Sequence, residues 1–347
     1  MASLLAAGTP ESNGAASCAT CHRAQALTQP STSMSHALEM VAACDILRDN
    51  PKLVFHEGPY SYQILREGDK SIYSVTDGKE TMRVPIGWAL GLGSAGQTYV
   101  YEWNGNLYES RVSYYKKVQG LDLTMGAQNM VPAGIEEAAG RRIGGKEVAE
   151  CFGCHATNAV HDNRPTLDQL TPGVQCERCH GDATRHVAAV RAGDVKGAAM
   201  KRLGALSTEE LSDFCGQCHR TWANIASSGP RNVNNVRFQP YRLTNSRCYD
   251  ATDRRISCVA CHDPHREVVR ETSAYDAKCL ACHSAGPAAG AHAAAAGSDG
   301  RRTAVVCPKA SANCVSCHMP RYEIPGSHNL FTDHQIRIVK PGEPYPG

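Results

Sequence analysis

Seven times the 347-residue chain repeats one pentapeptide pattern, Cys-x-x-Cys-His. The copies are Cys18, Cys21 and His22; Cys151, Cys154 and His155; Cys176, Cys179 and His180; Cys215, Cys218 and His219; Cys258, Cys261 and His262; Cys279, Cys282 and His283; and Cys314, Cys317 and His318. They absorb 14 of the 17 cysteines. The spacing has a mechanical meaning. Two cysteines three positions apart can add to the two vinyl groups along one porphyrin edge, and the next residue then falls beneath the macrocycle, where an imidazole nitrogen reaches the iron. A single Cys-x-x-Cys also suits a zinc knuckle or a redox dithiol. The histidine decides between them: with 15 His in the chain, chance puts one after a given pair about 4% of the time, and here it follows all seven.

Spacing divides the chain. The first motif stands 133 residues before the second, and the next five follow at intervals of 25, 39, 43, 21 and 35. Residues 121–347 therefore read as a six-haem module, 1–50 as an N-terminal segment with the first site and a helix near Met34–Arg48, and 51–120 as an insert. The insert speaks strand language. Tyr60–Leu65 and Ile72–Thr76 flank Glu67-Gly68-Asp69, Asp77-Gly78 leads into Thr81–Val84, and Thr98–Trp103 and Leu107–Tyr115 flank Asn104-Gly105-Asn106, a hairpin signal. In the module, Ser207-Thr208-Glu209-Glu210 is a capping box that starts a helix running into Cys215, and Gly145–Glu150 leads into the second motif. Residues Ala285–Gly300, nearly all Ala and Gly, read as a surface loop. Only five Phe and three Trp are available against 31 Gly and 18 Pro, so something other than apolar side chains must fill the interior. The expected fold is mainly α with long loops, a haem-cored cytochrome with a small inserted antiparallel sheet.

Each iron has a proximal histidine from its own motif and needs a ligand on its other face. Eight histidines remain: His36, His56, His161, His186, His265, His292, His328 and His334. The candidates for distal ligands are His36, His161, His186, His265, His328 and His334, with His56 and His292 read as surface residues. His265 is too near His262 in sequence to reach round to the same iron, so it is expected on a neighbouring haem. Near-saturation of seven irons favours bis-histidine ligation. Cys44, Cys248 and Cys307 are left as buried thiols or a disulfide with one thiol over. Seven haems would add about 14 propionate charges to a chain of formal charge +2, and Arg178, Arg185, Arg254, Arg255 and Arg321 are candidates to neutralise some of them.

Cys314-Val315-Ser316-Cys317-His318-Met319-Pro320, the block Cys258–His265 and Gly173–His180 resemble multihaem cytochromes c, above all the tetrahaem cytochromes that accept electrons from hydroxylamine oxidoreductase and their bacterial relatives. The resemblance implies electron transfer in the periplasm or at the cell surface, stacked haem pairs and mostly bis-His ligation. Seven sites and the inserted sheet depart from the tetrahaem pattern, and the Cys-x-x-Cys-Lys motif of pentahaem nitrite reductases is missing. The expectation is therefore an electron carrier; the alternative is a reductase or oxidase of a small nitrogen or sulfur compound at one haem with an open axial position. Expected partners are redox proteins, quinol-oxidising or terminal reductase components, with self-association as a further option. Basic residues are scattered, giving no case for nucleic acid, and no apolar run reaches the roughly 18 residues of a membrane span. Residues Met1–Ser17 carry too weak a leader pattern to read as a signal peptide.

Overall fold

The computed structural model describes residues 18–194, 196–283, 307, 310–340 and 342–346. Its largest element overturns the expected fold class. Instead of a small inserted sheet there is a nine-stranded antiparallel one, curled into a nearly closed barrel. Seven strands follow one another as a meander: β2 (Lys52–Glu57), β3 (Tyr60–Glu67), β4 (Lys70–Thr76), β5 (Thr81–Leu90), β6 (Gln97–Trp103), β7 (Asn106–Tyr115) and β8 (Gly120–Leu123). Two more join from outside the expected insert: β1 (Leu38–Met40) pairs with the end of β5, and β9 (Gly140–Arg142) with β7. The chain is thus α and β in comparable measure, not mainly α.

Local chemistry sets the hairpins. Asn104 and Gly105 both take positive φ (49° and 71°), the left-handed pair of a two-residue turn that matches strand twist. Alternation does the rest: Ser71, Tyr73 and Val75 of β4, and Met82, Val84 and Ile86 of β5, point inward. The interior is lined by tyrosine: Tyr62, Tyr73, Tyr99 and Tyr101 are all buried, with Tyr101 stacked on Tyr108. The edge strands β2 and β8 approach each other, and buried Arg111 of β7 closes the seam, its Nε and Nη2 donating to Glu57 of β2 at 3.0 and 3.3 Å. Cys44 belongs to this core; its thiol donates to Gln97 Oε1 at 3.4 Å, and burial pushes it up to about 11. It packs as a small hydrophobe.

The expected helix at Met34–Arg48 dissolves into turns, the strand β1 and a short helix, Asp45–Asp49. Edge pairing with β5 satisfies the backbone of Leu38–Met40 better than a helix that would leave its apolar face without a groove. Outside the barrel the helices are short, and several bury nothing. Cys176–His180, Cys258–Cys261 and Asp276–His283 each contain no buried residue. Such helices have no apolar core of their own to hold them. Two are exceptions. Gly145–His155 buries Val148 and Phe152, one turn apart, against Leu38, Leu90, Val100 and Ile143, with Trp88 edge-on to Phe152 at 5.2 Å. Thr208–His219 carries the expected capping box: the Ser207 hydroxyl accepts from Glu210 N and the Glu210 carboxylate accepts from Ser207 N. Ser207→Ala is expected to cost about 1 kcal/mol in chemical denaturation of the haem-loaded protein.

Candidate functional site

The barrel positions the second motif. The helix Gly145–His155 lies on its outer wall, and His155 Nδ1–H donates to the carbonyl of Ala37, next to β1, at 2.8 Å. The first motif is far from the others in sequence, but its segment docks on the approach to the third. Val174 N donates to Met34 O at 2.9 Å, and Gln29 Nε2 donates to Val174 O at 2.8 Å. Gly173 takes a φ of +71° directly against the Ser35 carbonyl, where any Cβ would overlap that oxygen.

Thiols of different motifs meet in pairs. Cys18 touches Cys176, Cys154 touches Cys218, Cys215 touches Cys258 and Cys279 touches Cys314. The contact with Cys154 is the main cause that holds the Cys218 thiol below its ordinary value. The Arg178 side chain, within the third motif, binds the second and fourth together: Nε donates to Gly153 O at 2.9 Å, and Nη1 and Nη2 face Gln217 Oε1 and Cys218 Sγ at 3.4 and 3.8 Å. Cys248 is half-buried in the neighbourhood of Cys261 and Cys282, and burial raises its thiol. If each cysteine marks the attachment edge of a porphyrin, sites one and three, two and four, four and five, and six and seven are edge neighbours.

The histidines form a second pattern. Rings from distant parts of the chain face one another in three pairs: His22 and His186 at 6.2 Å between ring centres, His180 and His265 at 6.1 Å, and His262 and His334 at 6.3 Å. An imidazole nitrogen binds a metal at about 2.0 Å and lies about 1.15 Å from its ring centre, so two rings on opposite sides of one iron stand about 6.3 Å apart. The observed pairs match that spacing and are too open for direct stacking. Among the described residues no three His, Cys, Asp or Glu side chains gather as around a bare ion. A cavity of about 410 Å³ opens beside Cys261 and His262, lined also by Val259, Pro264 and Lys278.

Nitrogen use agrees with the pairing. In His186, His265 and His334 the Nδ1 is engaged, by Ala198 O at 2.6 Å, Asp263 Oδ1 at 3.2 Å and Thr332 O at 3.0 Å. The same holds for the proximal rings His219, by Gln239 Oε1 at 3.1 Å, and His318, by Arg337 O at 2.9 Å. Engaging Nδ1 fixes the ring and leaves Nε2 for a metal. Burial pushes His334 down to about 4, so its ring is neutral at ordinary pH. Burial likewise lowers His155, His180, His219 and His262.

The other distal candidates stand elsewhere. His36 is exposed and spends both nitrogens, Nε2 on Pro30 O at 2.9 Å and Nδ1 on Glu39 Oε1 at 3.1 Å. His328 directs Nε2 to Asp122 Oδ2 of β8 at 2.7 Å and sits edge-on to Tyr115 at 4.8 Å, tying the hairpin Arg321–Thr332 to the barrel. His161 lies exposed in a two-residue strand paired with Arg164–Pro165. His56 bonds Ser61 Oγ at 2.9 Å across β2 and β3. His292 and the Ala/Gly tract lie outside the described residues.

The reading of the sequence missed the groups that hold His334. Arg242 and Asp333, 3% and 0% exposed, form a bidentate pair at 2.8 and 3.0 Å, and Arg337 Nη1 reaches Asp333 Oδ2 at 2.6 Å. Asp333 precedes His334, while the Arg337 backbone bonds His318 in both directions. One buried ion cluster thus fixes a distal candidate of the fifth site and the proximal histidine of the seventh. No local signal in the sequence marks it, because Arg242 and Asp333 are 91 residues apart.

The arrangement has relatives. Residues 112–181 match the family of cytochrome c554 and c-prime, a stretch holding the second and third motifs. The crystal structure of outer cell wall cytochrome OcwA is similar at a TM-score of 0.51 and 16% identity, over 94% of this chain and 80% of that one. Comparison with curated proteins returns no match. The family match spans two of the seven motifs, and the likeness to OcwA is one of fold. No helix among the described residues is long and apolar enough to cross a membrane.

Proposed function

We propose that the chain is a seven-haem electron carrier, with each Cys-x-x-Cys-His motif holding one covalently attached haem. The observation that carries this reading is the trio of histidine pairs at 6.1–6.3 Å, each joining a proximal motif histidine to one outside the motifs. On it, His22 and His186 would hold one haem iron, His180 and His265 a second, and His262 and His334 a third. When bound, the haems supply a one-electron ferric/ferrous couple, and electrons pass between neighbouring haem edges by tunnelling.

The residues of the chain do three things. The fold sets cysteines of different motifs side by side, which would bring attachment edges together and keep the tunnelling gaps short. The Nδ1 bonds of the paired histidines lock ring orientation and stabilise the ferric state by making the ligands more basic. The barrel anchors the second site on its outer wall and through Asp122 holds the loop that leads to His334. Attachment of haem takes place outside the bacterial cytoplasm, and the structural neighbour is an outer cell wall protein, which supports a place in the periplasm or at the cell surface. Redox proteins are the expected partners.

Two measurements on the purified protein test the reading. Pyridine haemochrome analysis should give seven haems per chain, and a clearly smaller number sinks it. Low-temperature electron paramagnetic resonance should show low-spin ferric signals that nitrite and hydroxylamine leave unchanged. A high-spin signal that responds to either would replace the carrier with a reductase.

A further inference from the structure

Arg237, half-buried, differs from the guanidinium groups paired in the interior. Arg111 pairs with Glu57, and Arg242 and Arg337 share Asp333. Arg237 has no carboxylate partner among the described residues. Its Nη1 faces the thioether sulfur of Met125 at 3.6 Å, its guanidinium lies over the Phe238 ring at 5.2 Å, and its Nε is buried with no hydrogen-bond partner. Burial, and then the charge of Arg220, pull its pKa below the ordinary arginine value. A sulfur and a ring face are weak compensation for a desolvated cation. A partly desolvated guanidinium left this way lacks the counter-charge that offsets its burial.

Its surroundings say where the other half belongs. Two residues on, Gln239 bonds Nδ1 of His219, and the neighbouring cation Arg220 directly follows His219 and is engaged with Glu150 at 3.0 Å. Arginines of the sequence that invited a role with propionates are largely committed: Arg178 to Gly153 and the fourth motif, Arg254 to Gly204, Arg255 to Asp253 and Arg321 to Leu330. We infer that Arg237 is the anchor of a haem propionate, its guanidinium pairing with a carboxylate of the haem carried by Cys215 and Cys218. The inference rests on the reading of Cys215–His219 as a haem site. A fixed cation there does two things: it keeps the propionate ionised, and it favours the reduced iron, raising that haem's potential.

The test uses Arg237→Gln and Arg237→Lys in the full haem-loaded protein. Mass mapping of the peptide holding Cys215 and Cys218 comes first; bare thiols there in the unaltered protein would refute the haem reading itself, and the anchor with it. With haem attached, spectroelectrochemical titration of Arg237→Gln should show one couple displaced to lower potential and newly pH-dependent between about pH 5 and 7, where an unassisted propionate titrates. Arg237→Lys keeps the charge but loses the fork, so its couple should move the same way by less. A mere packing role would leave the potentials and their pH profile in place. Seven attached haems with every couple unchanged in Arg237→Lys and, where it folds, Arg237→Gln overturns the inference.

Discussion

Asp333→Asn is expected to destabilise the haem-loaded protein by about 3–5 kcal/mol, the cost of breaking a fully buried ion pair from one side. The carboxylate accepts from Arg242 at both oxygens, from Arg337 at 2.6 Å and from the backbone of Gln335 at 2.9 Å. Asparagine keeps the shape but leaves Arg242 with no carboxylate partner among the described residues and Arg337 with only Glu343, at 4.0 Å. Arg242 is further held by the Tyr345 ring at 4.6 Å, so it has no room to turn toward solvent. Denaturant unfolding followed at the Soret band measures the loss. Adding Arg337→Gln to Asp333→Asn should cost less than the two changes separately, because the second removes a cation that the first deprived of its nearer carboxylate. Strict additivity would mean the cluster does not act as a unit.

The sequence made the chemistry legible and left the assembly unreadable. The candidate attachment residues are local: two cysteines and a histidine within five positions suit one covalently held haem. Histidine supply offered His36, His161, His186, His265, His328 and His334 as distal candidates; the proposed pairing uses His186, His265 and His334, and supply alone named no partners for them. His22 and His186, or His262 and His334, meet through contacts across the fold that no local pattern encodes. The hairpin turns at Gly68, Gly78 and Asn104-Gly105 were equally plain. The barrel was not, because its sheet takes β1 and β9 from flanking segments and its seam brings β2 to β8, with Arg111 reaching Glu57. Leu38–Met40 carries apolar spacing that suits a helix as well as an edge strand, and only its partner Trp88–Leu90 decides. Distance in sequence also misled: the first motif, 133 residues from the second, lies against the third in space.

Substituting the distal histidines one at a time should separate ligands from bystanders with the largest spectroscopic effect available. His186→Ala, His265→Ala and His334→Ala are each expected to convert one haem from low-spin to high-spin ferric while all seven remain attached, since attachment depends on the cysteines and proximal imidazoles alone. Each variant should also gain one site that binds a small ligand such as cyanide. His36→Ala and His328→Ala should leave the spin state untouched, because His36 spends both nitrogens on Pro30 and Glu39 and His328 spends Nε2 on Asp122. His328→Ala should instead loosen the hairpin from the barrel and lower the unfolding midpoint modestly. The opposite result, a high-spin haem from His328→Ala and none from His334→Ala, would break the pairing rule at the 6.3 Å separation of His262 and His334. On the proposed reading ring spacing, not proximity in sequence, marks the ligand: His328 lies ten residues after His318 yet turns to the barrel, whereas His334 faces His262 of another motif.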